Sequence, residues 1–276
     1  DQPAATQLAD GIGLTIRQSD SLSLISARLP EAQLLPADAF ERRTTQMYHA
    51  IQRALSFCTA AEPVRCWNFI PAIHQPMGGA LDRYMVFNAG RFKALCDWFG
   101  GSDRLSGRVP TASGVGHSRD ELVIHCLGAR ERGKAVENPR QIPAFRYSKR
   151  YGPLPPCFAR ATVVNDVLPT PAVLVGGTAS ICGEKSMHGD QLTRQIRETL
   201  TNIASLVAAA DASIETSSAL GRINHARVYF PHAADERLIA AHVRAAFSRT
   251  ASIQFVQADL CRADLLVEIE GVAQLR

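Results

Sequence analysis

The chain has 276 residues, 46% of them hydrophobic and 20% charged, with a formal net charge of +4. This suffices for one large domain or two modest ones with full cores, and the charge is too weak to point to a nucleic-acid partner. No apolar run approaches the roughly 18 residues that span a bilayer, and DQPAATQLADGIGL lacks the basic and apolar regions of a signal peptide, so a cytoplasmic protein with no membrane partner is expected.

In chain order, LTIRQSDSLSLISARL (14–29) is expected to form a hairpin. ADAFERRTTQMYHAIQRALSF (37–57) carries Met47, Ile51, Ala54 and Leu55 at helical spacing. A strand-like VRCWNFIPAI (64–73), a helical DRYMVFNAGRFKALCDWFG (82–100), a Pro/Gly/Ser-rich link and a β-rich ELVIHCLGA (121–129) complete the first half. A Pro- and aromatic-rich connector, NPRQIPAFRYSKRYGPLPPCFARATVV (138–164), runs into new strands. The long amphipathic helix GDQLTRQIRETLTNIASLVAAA (189–210) presents Leu192, Ile196, Leu200, Ile203 and Val207 on one side. HARVYF is a strand, ADERLIAAHVRAAF a helix, and ASIQFVQ and ADLLVEIEGVA are strands. Both halves thus read helix–strand–helix–strand–strand after an initial hairpin. The fold class predicted is α+β: two β-α-β modules, 1–150 and 151–276, each a mixed sheet with helices on one face.

The closing strand places two carboxylates on one face, since residues two apart in a strand point the same way. In DLLVEIE, Leu265, Val267 and Ile269 are expected to pack on helices. Leu266, Glu268 and Glu270 face the junction between modules, where pockets preferentially form. Cys261 lies seven residues before Glu268, on the opposite face of an unbroken strand. A bulge or turn near Arg262 and Ala263 must intervene if both line one pocket. The seven cysteines form no CxxC pair and the histidines no HxxxH or HExxH pair, so no metal is expected. Of the 30 basic residues 26 are Arg, a type suited to bidentate carboxylate clamps. GGTASICG lacks the ending of a phosphate loop, and its small residues let a substrate approach the backbone.

VGGTASICGEKSMHGD and LLVEIEGVA resemble the RidA (YjgF) family of small βαβ enzymes. WNFIP, LDRYMVFNAGR, VENPRQIPAFRYSKRYGPLPPCFARA and DLCRADLLVEIEGVA together resemble the chorismatases, over roughly residues 60 to 273. That resemblance implies two RidA-like (chorismate-mutase-like) modules and cleavage of chorismate to pyruvate and hydroxybenzoate without a cofactor. It implies Glu268 as the donor of a proton to the enolpyruvyl methylene. Chorismate's two carboxylates call for fixed cations, for which Arg83, Arg91, Arg146, Arg150 and Arg160 are candidates, with Tyr147 and Tyr151 beside them. Gly177 and Ala179 are expected against the substrate, with Glu270 as a second, orienting carboxylate. In the family a Cys at the position of Cys261 goes with an aromatic product. Its pairing with Ala179 points to the branch that makes both 3- and 4-hydroxybenzoate, feeding pigment or quinone synthesis. The rival expectations are a RidA-type imine or enamine hydrolase and a non-catalytic ligand-binding protein. RidA proteins are trimers, so a monomer or a homotrimer is expected.

Overall fold

The computed structural model describes residues 4–7 and 11–275. The first module comprises β1 (Ala4–Gln7), β2 (Gly13–Gln18), β3 (Leu22–Leu29), α1 (Ala37–Ser56), β4 (Glu62–Pro71), α2 (Arg83–Phe99), β5 (Thr111–His117) and β6 (Leu122–Ala129). The second opens with β7 (Lys134–Val136), β8 (Ala161–Val164) and β9 (Ala172–Ala179), then the short ribbon β10 (Ile181–Cys182) and β11 (Lys185–Ser186). It continues through α3 (Leu192–Ala210), α4 (Thr216–Ala219), β12 (Ile223–Phe230), α5 (Glu236–Ala246), β13 (Ser252–Gln257) and β14 (Glu268–Gln274).

The two sheets run β1-β2-β3-β6-β4-β5 and β7-β8-β9-β14-β12-β13, so each strand of one has a counterpart in the other. In both, the only parallel pair among the described residues is the last, β4 with β5 and β12 with β13. The expected repeat is therefore a repeat of topology, with mixed sheets and helices on one face of each.

Periodicity explains the layering. Ile25, Ala27 and Leu29 of β3 and Ile124 and Cys126 of β6 join Met47, Ile51 and Leu55 of α1 in one core. Val173 and Val175 of β9 and Val267, Ile269 and Ala273 along the last strand join Ile196, Ile203 and Val207 of α3 in another. Leu265 departs from its expected place. The strand starts only at Glu268, and Leu265 packs with Val115, Ala179 and Tyr229 at the sheet junction. The opposite faces of the sheets meet each other: Thr111 Oγ1 lies 2.7 Å from Thr162 Oγ1, and the Ala159 amide donates to the Pro110 carbonyl at 3.1 Å.

Two expectations shift. β7 pairs with β8, Lys134 opposite Val163, so the sheets divide between Ala129 and Lys134 rather than at residue 150. A three-residue strand is too short to show a period in sequence, and the Pro-rich connector is an excursion from the second sheet. The Pro/Gly/Ser-rich link contains β5, a strand made of small residues because other groups crowd it. A side chain at Gly114 would meet the Tyr84 ring, and one at Gly116 would meet Asp259.

Candidate active site

A cavity of about 240 Å³ lies where β5, β9 and the start of β14 meet the N-terminus of α2 and the connector. The chain builds one wall from glycine and alanine. β9 bulges opposite Glu270, where the register passes from Ile269↔Thr178 to Gly271↔Val175, leaving Gly176 and Gly177 against one residue. A Cβ on Gly177 would overlap Glu268 Oε1, so the glycine makes the space that the carboxyl fills. Ala179 pairs directly with Glu268 across the sheet, and both face the cavity.

Glu268 is 3% exposed, and its Oε1 has no hydrogen-bond partner among the described residues. Burial lifts its carboxyl to about 8, and the nearby Glu270 reinforces the rise. Arg65, a hydrogen bond with Cys261 and Arg160 act in the opposite sense. Desolvation wins, so the group is a neutral acid at pH 7. Cys261 reaches the same cavity because the chain turns before the strand begins, with the Leu265 amide donating to the Arg262 carbonyl at 3.2 Å. Burial and the charge of Glu268 push its thiol up to about 12, so it is a thiol rather than a thiolate.

Four guanidinium groups, Arg91, Arg150, Arg160 and Arg262, line the cavity. Among the described residues none of the four pairs with a carboxylate. Aromatic faces hold them instead. The Phe158 ring lies 5.5 Å from the Arg91 guanidinium and 5.1 Å from that of Arg160, so one ring orients two cations. Arg160 also donates to the Tyr147 hydroxyl at 2.6 Å, and Arg91 to Asn88 Oδ1 at 2.8 Å. Arg262 stacks 3.9 Å above Tyr151 and donates to the Glu184 carbonyl and to Ser186 Oγ at 2.9 and 3.1 Å. The Glu184 carboxylate accepts from the Ser148 amide and hydroxyl at 2.8 and 2.7 Å, latching the connector to the β10–β11 ribbon. Arg91 and Arg160 are buried, Arg262 is half-buried and Arg150 is exposed. Guanidinium groups held in place without a carboxylate partner suit the binding of carboxylates.

Of the residues expected here, the fold gathers Glu268, Cys261, Arg91, Tyr147, Arg150, Tyr151, Arg160, Gly177 and Ala179 around this cavity. Arg146 is not on its wall; its guanidinium lies beside the Phe145 ring, 5.9 Å from the centroid. Arg83 and Glu270 are not on the cavity wall either. Arg83 is the first residue of α2 and turns away, donating to the Ala32 and Gln33 carbonyls and to Gln75 Oε1 at 2.7–2.9 Å. It ties the loop before α1 to α2. Glu270 shares the face of Glu268 but lies against Arg65 and Ser113 and opens on a second cleft with Trp67 and Arg227. Among the cavity residues not anticipated from sequence are Arg262, expected only near a turn, Ser113 in the supposed link, and Tyr84. The alternation of Arg and Tyr in the connector had a counterpart in Arg262, one residue after Cys261.

Fold and site together define a class: a duplicated α+β scaffold whose junction sets a neutral carboxylic acid beside guanidinium groups. The family model described as chorismatase FkbO/Hyg5-like, N-terminal, matches residues 2–128. The chain is 32% identical over 272 residues to a 3-hydroxybenzoate synthase of Streptomyces hygroscopicus, covering 94% of this chain and 76% of that protein. It is 31% identical over 254 residues to a chorismatase of Streptomyces rapamycinicus, covering 89% and 72%. The crystal structure of a chorismatase superposes with a TM-score of 0.84 at 26% identity, covering 99% of this chain and 80% of that one. This chain belongs to the chorismatase family.

Proposed function

We propose that the protein cleaves chorismate to pyruvate and hydroxybenzoate, with Glu268 as the acid. The observation that carries this reading is the presence in one cavity of a neutral Glu268 and four guanidinium groups that form no ion pair with a carboxylate among the described residues. Chorismate brings two carboxylates and an enol ether. The guanidinium groups take the carboxylates, and fixing both ends of the substrate aims its methylene carbon at Glu268. The proton moves to that carbon, leaving a cation that the ether oxygen stabilises. Water adds to it, and the adduct collapses to pyruvate and a dihydroxycyclohexadiene acid. Loss of water from the ring gives hydroxybenzoate, so the overall change is chorismate to pyruvate plus hydroxybenzoate. A carboxylic acid that is neutral at pH 7 is the form this first step requires.

Cys261 and Ala179 both line the cavity, where they can steer aromatisation, and their pairing is the ground for expecting both 3- and 4-hydroxybenzoate. The seven free cysteines fit a reducing, cytoplasmic setting. No helix among the described residues is long and apolar enough to cross a membrane. The protein is a monomer or a homotrimer, and sedimentation distinguishes the two. The function is tested by incubating the protein with chorismate and separating the ring products by chromatography. Formation of hydroxybenzoate above the spontaneous background is expected, and its absence refutes the proposal.

A further inference from the structure

We infer that Glu270, which has no place on the cavity wall, sets the protonation of Glu268 and is a positioning residue for the reaction. The inference rests on the reading of Glu268 as the acid. The two glutamates stand two residues apart on one strand face and are 3% and 5% exposed. Their surroundings differ in kind. Glu270 Oε2 accepts from Arg65 Nη2 at 2.7 Å and from Ser113 Oγ at 2.5 Å. Its Oε1 accepts from Trp67 Nε1, the Tyr229 hydroxyl and Arg227 Nη1 at 3.1, 3.2 and 3.4 Å. Five donors, two of them guanidinium groups, converge on one carboxylate. Glu268 faces Cys261, Tyr84 from α2, Arg160 ahead of β8 and Arg65 from β4, and its Oε1 takes no hydrogen bond from any of them.

Ionising Glu268 therefore sets a second anion beside a first whose counter-charges are already engaged. Same-face neighbours on a strand stand about 7 Å apart. At an effective dielectric near 20 their repulsion corresponds to a shift of about 1–2 pH units. Glu270 also acts through geometry. Ser113 Oγ, which donates to Glu270, accepts from the Gly177 amide at 2.9 Å, and Gly177 is the surface on which the Glu268 carboxyl rests. One carboxylate thus holds both the charge state and the seat of the other.

The test is the pH dependence of kcat/KM for chorismate cleavage in the wild type, Glu268→Gln and Glu270→Gln. If Glu268→Gln keeps turnover with the wild-type alkaline limb, the assignment of the acid fails, and the inference with it. If that limb depends on Glu268, Glu270→Gln is expected to lower it by about 1–2 pH units, because a like charge is lost and Arg65 is freed to favour the ionised form. A limb that stays in place or rises overturns the inference while leaving the acid assignment intact. Should Glu270→Gln fail to fold, Arg65→Gln is expected to raise the limb, and an unmoved or lowered limb is equally decisive. Infrared titration of the Glu268 carboxyl, by difference from Glu268→Gln, reads the same shift without turnover.

Discussion

Replacing Glu268 by Gln should stabilise the protein, and by an amount that grows with pH. The carboxyl titrates near its usual 4.5 in the unfolded chain and at about 8 in the folded one. Between those values the folded state holds a proton that the unfolded state has lost. Its contribution to stability is therefore greatest below pH 4.5 and is lost as pH rises to 8. The slope is about 1.4 kcal/mol per pH unit, and over the whole interval it integrates to about 5 kcal/mol. Gln has nearly the same shape and no proton to lose. The difference in unfolding free energy between variant and wild type should then be small at pH 4 and widen to several kcal/mol at pH 8. Urea unfolding at four pH values between 4 and 8, with equal m-values, measures it. A difference that stays flat across this range refutes the claim that Glu268 is a neutral acid held up by burial.

Three further outcomes follow from the geometry. Gly177→Ala puts a methyl group into the space of Glu268 Oε1, so kcat should fall by about 10²-fold while circular dichroism stays unchanged. Cys261→Ala should shift products toward the non-aromatic dihydroxy acid, and an unchanged product ratio by chromatography removes the thiol from that role. Arg83→Met deprives one buried and two part-buried oxygens of their donor and should cost about 2 kcal/mol of stability, measured by denaturant unfolding, with KM for chorismate unaltered.

Much of this site is legible in the residues because strand alternation is a strict rule. The pair Glu268 and Glu270 had to share a face, and that face had to oppose the helices, since Val267 and Ile269 fill the helical side. The break needed between Cys261 and Glu268 is also present, as the turn at Arg262. Alternation cannot divide labour along a face. Glu270 leaves the cavity because Arg65 on β4 and Arg227 on β12, far away in sequence, claim it. Arg83 and Arg91 look equivalent on a helix, yet the first meets carbonyls of the segment before α1 and the second meets Phe158 of the connector. β5 was hidden by its composition: TASGVGH reads as a turn, and its small residues are there to admit Tyr84 and Asp259.

The central claim is that Glu268 delivers the proton that starts cleavage of the enol ether. It is tested most directly by measuring pyruvate release from chorismate by wild-type protein and Glu268→Gln side by side, with equal folding verified. The account expects pyruvate and hydroxybenzoate in equal amounts from the wild type, and release at the spontaneous rate from the variant. Pyruvate formed by Glu268→Gln at the wild-type rate would contradict it.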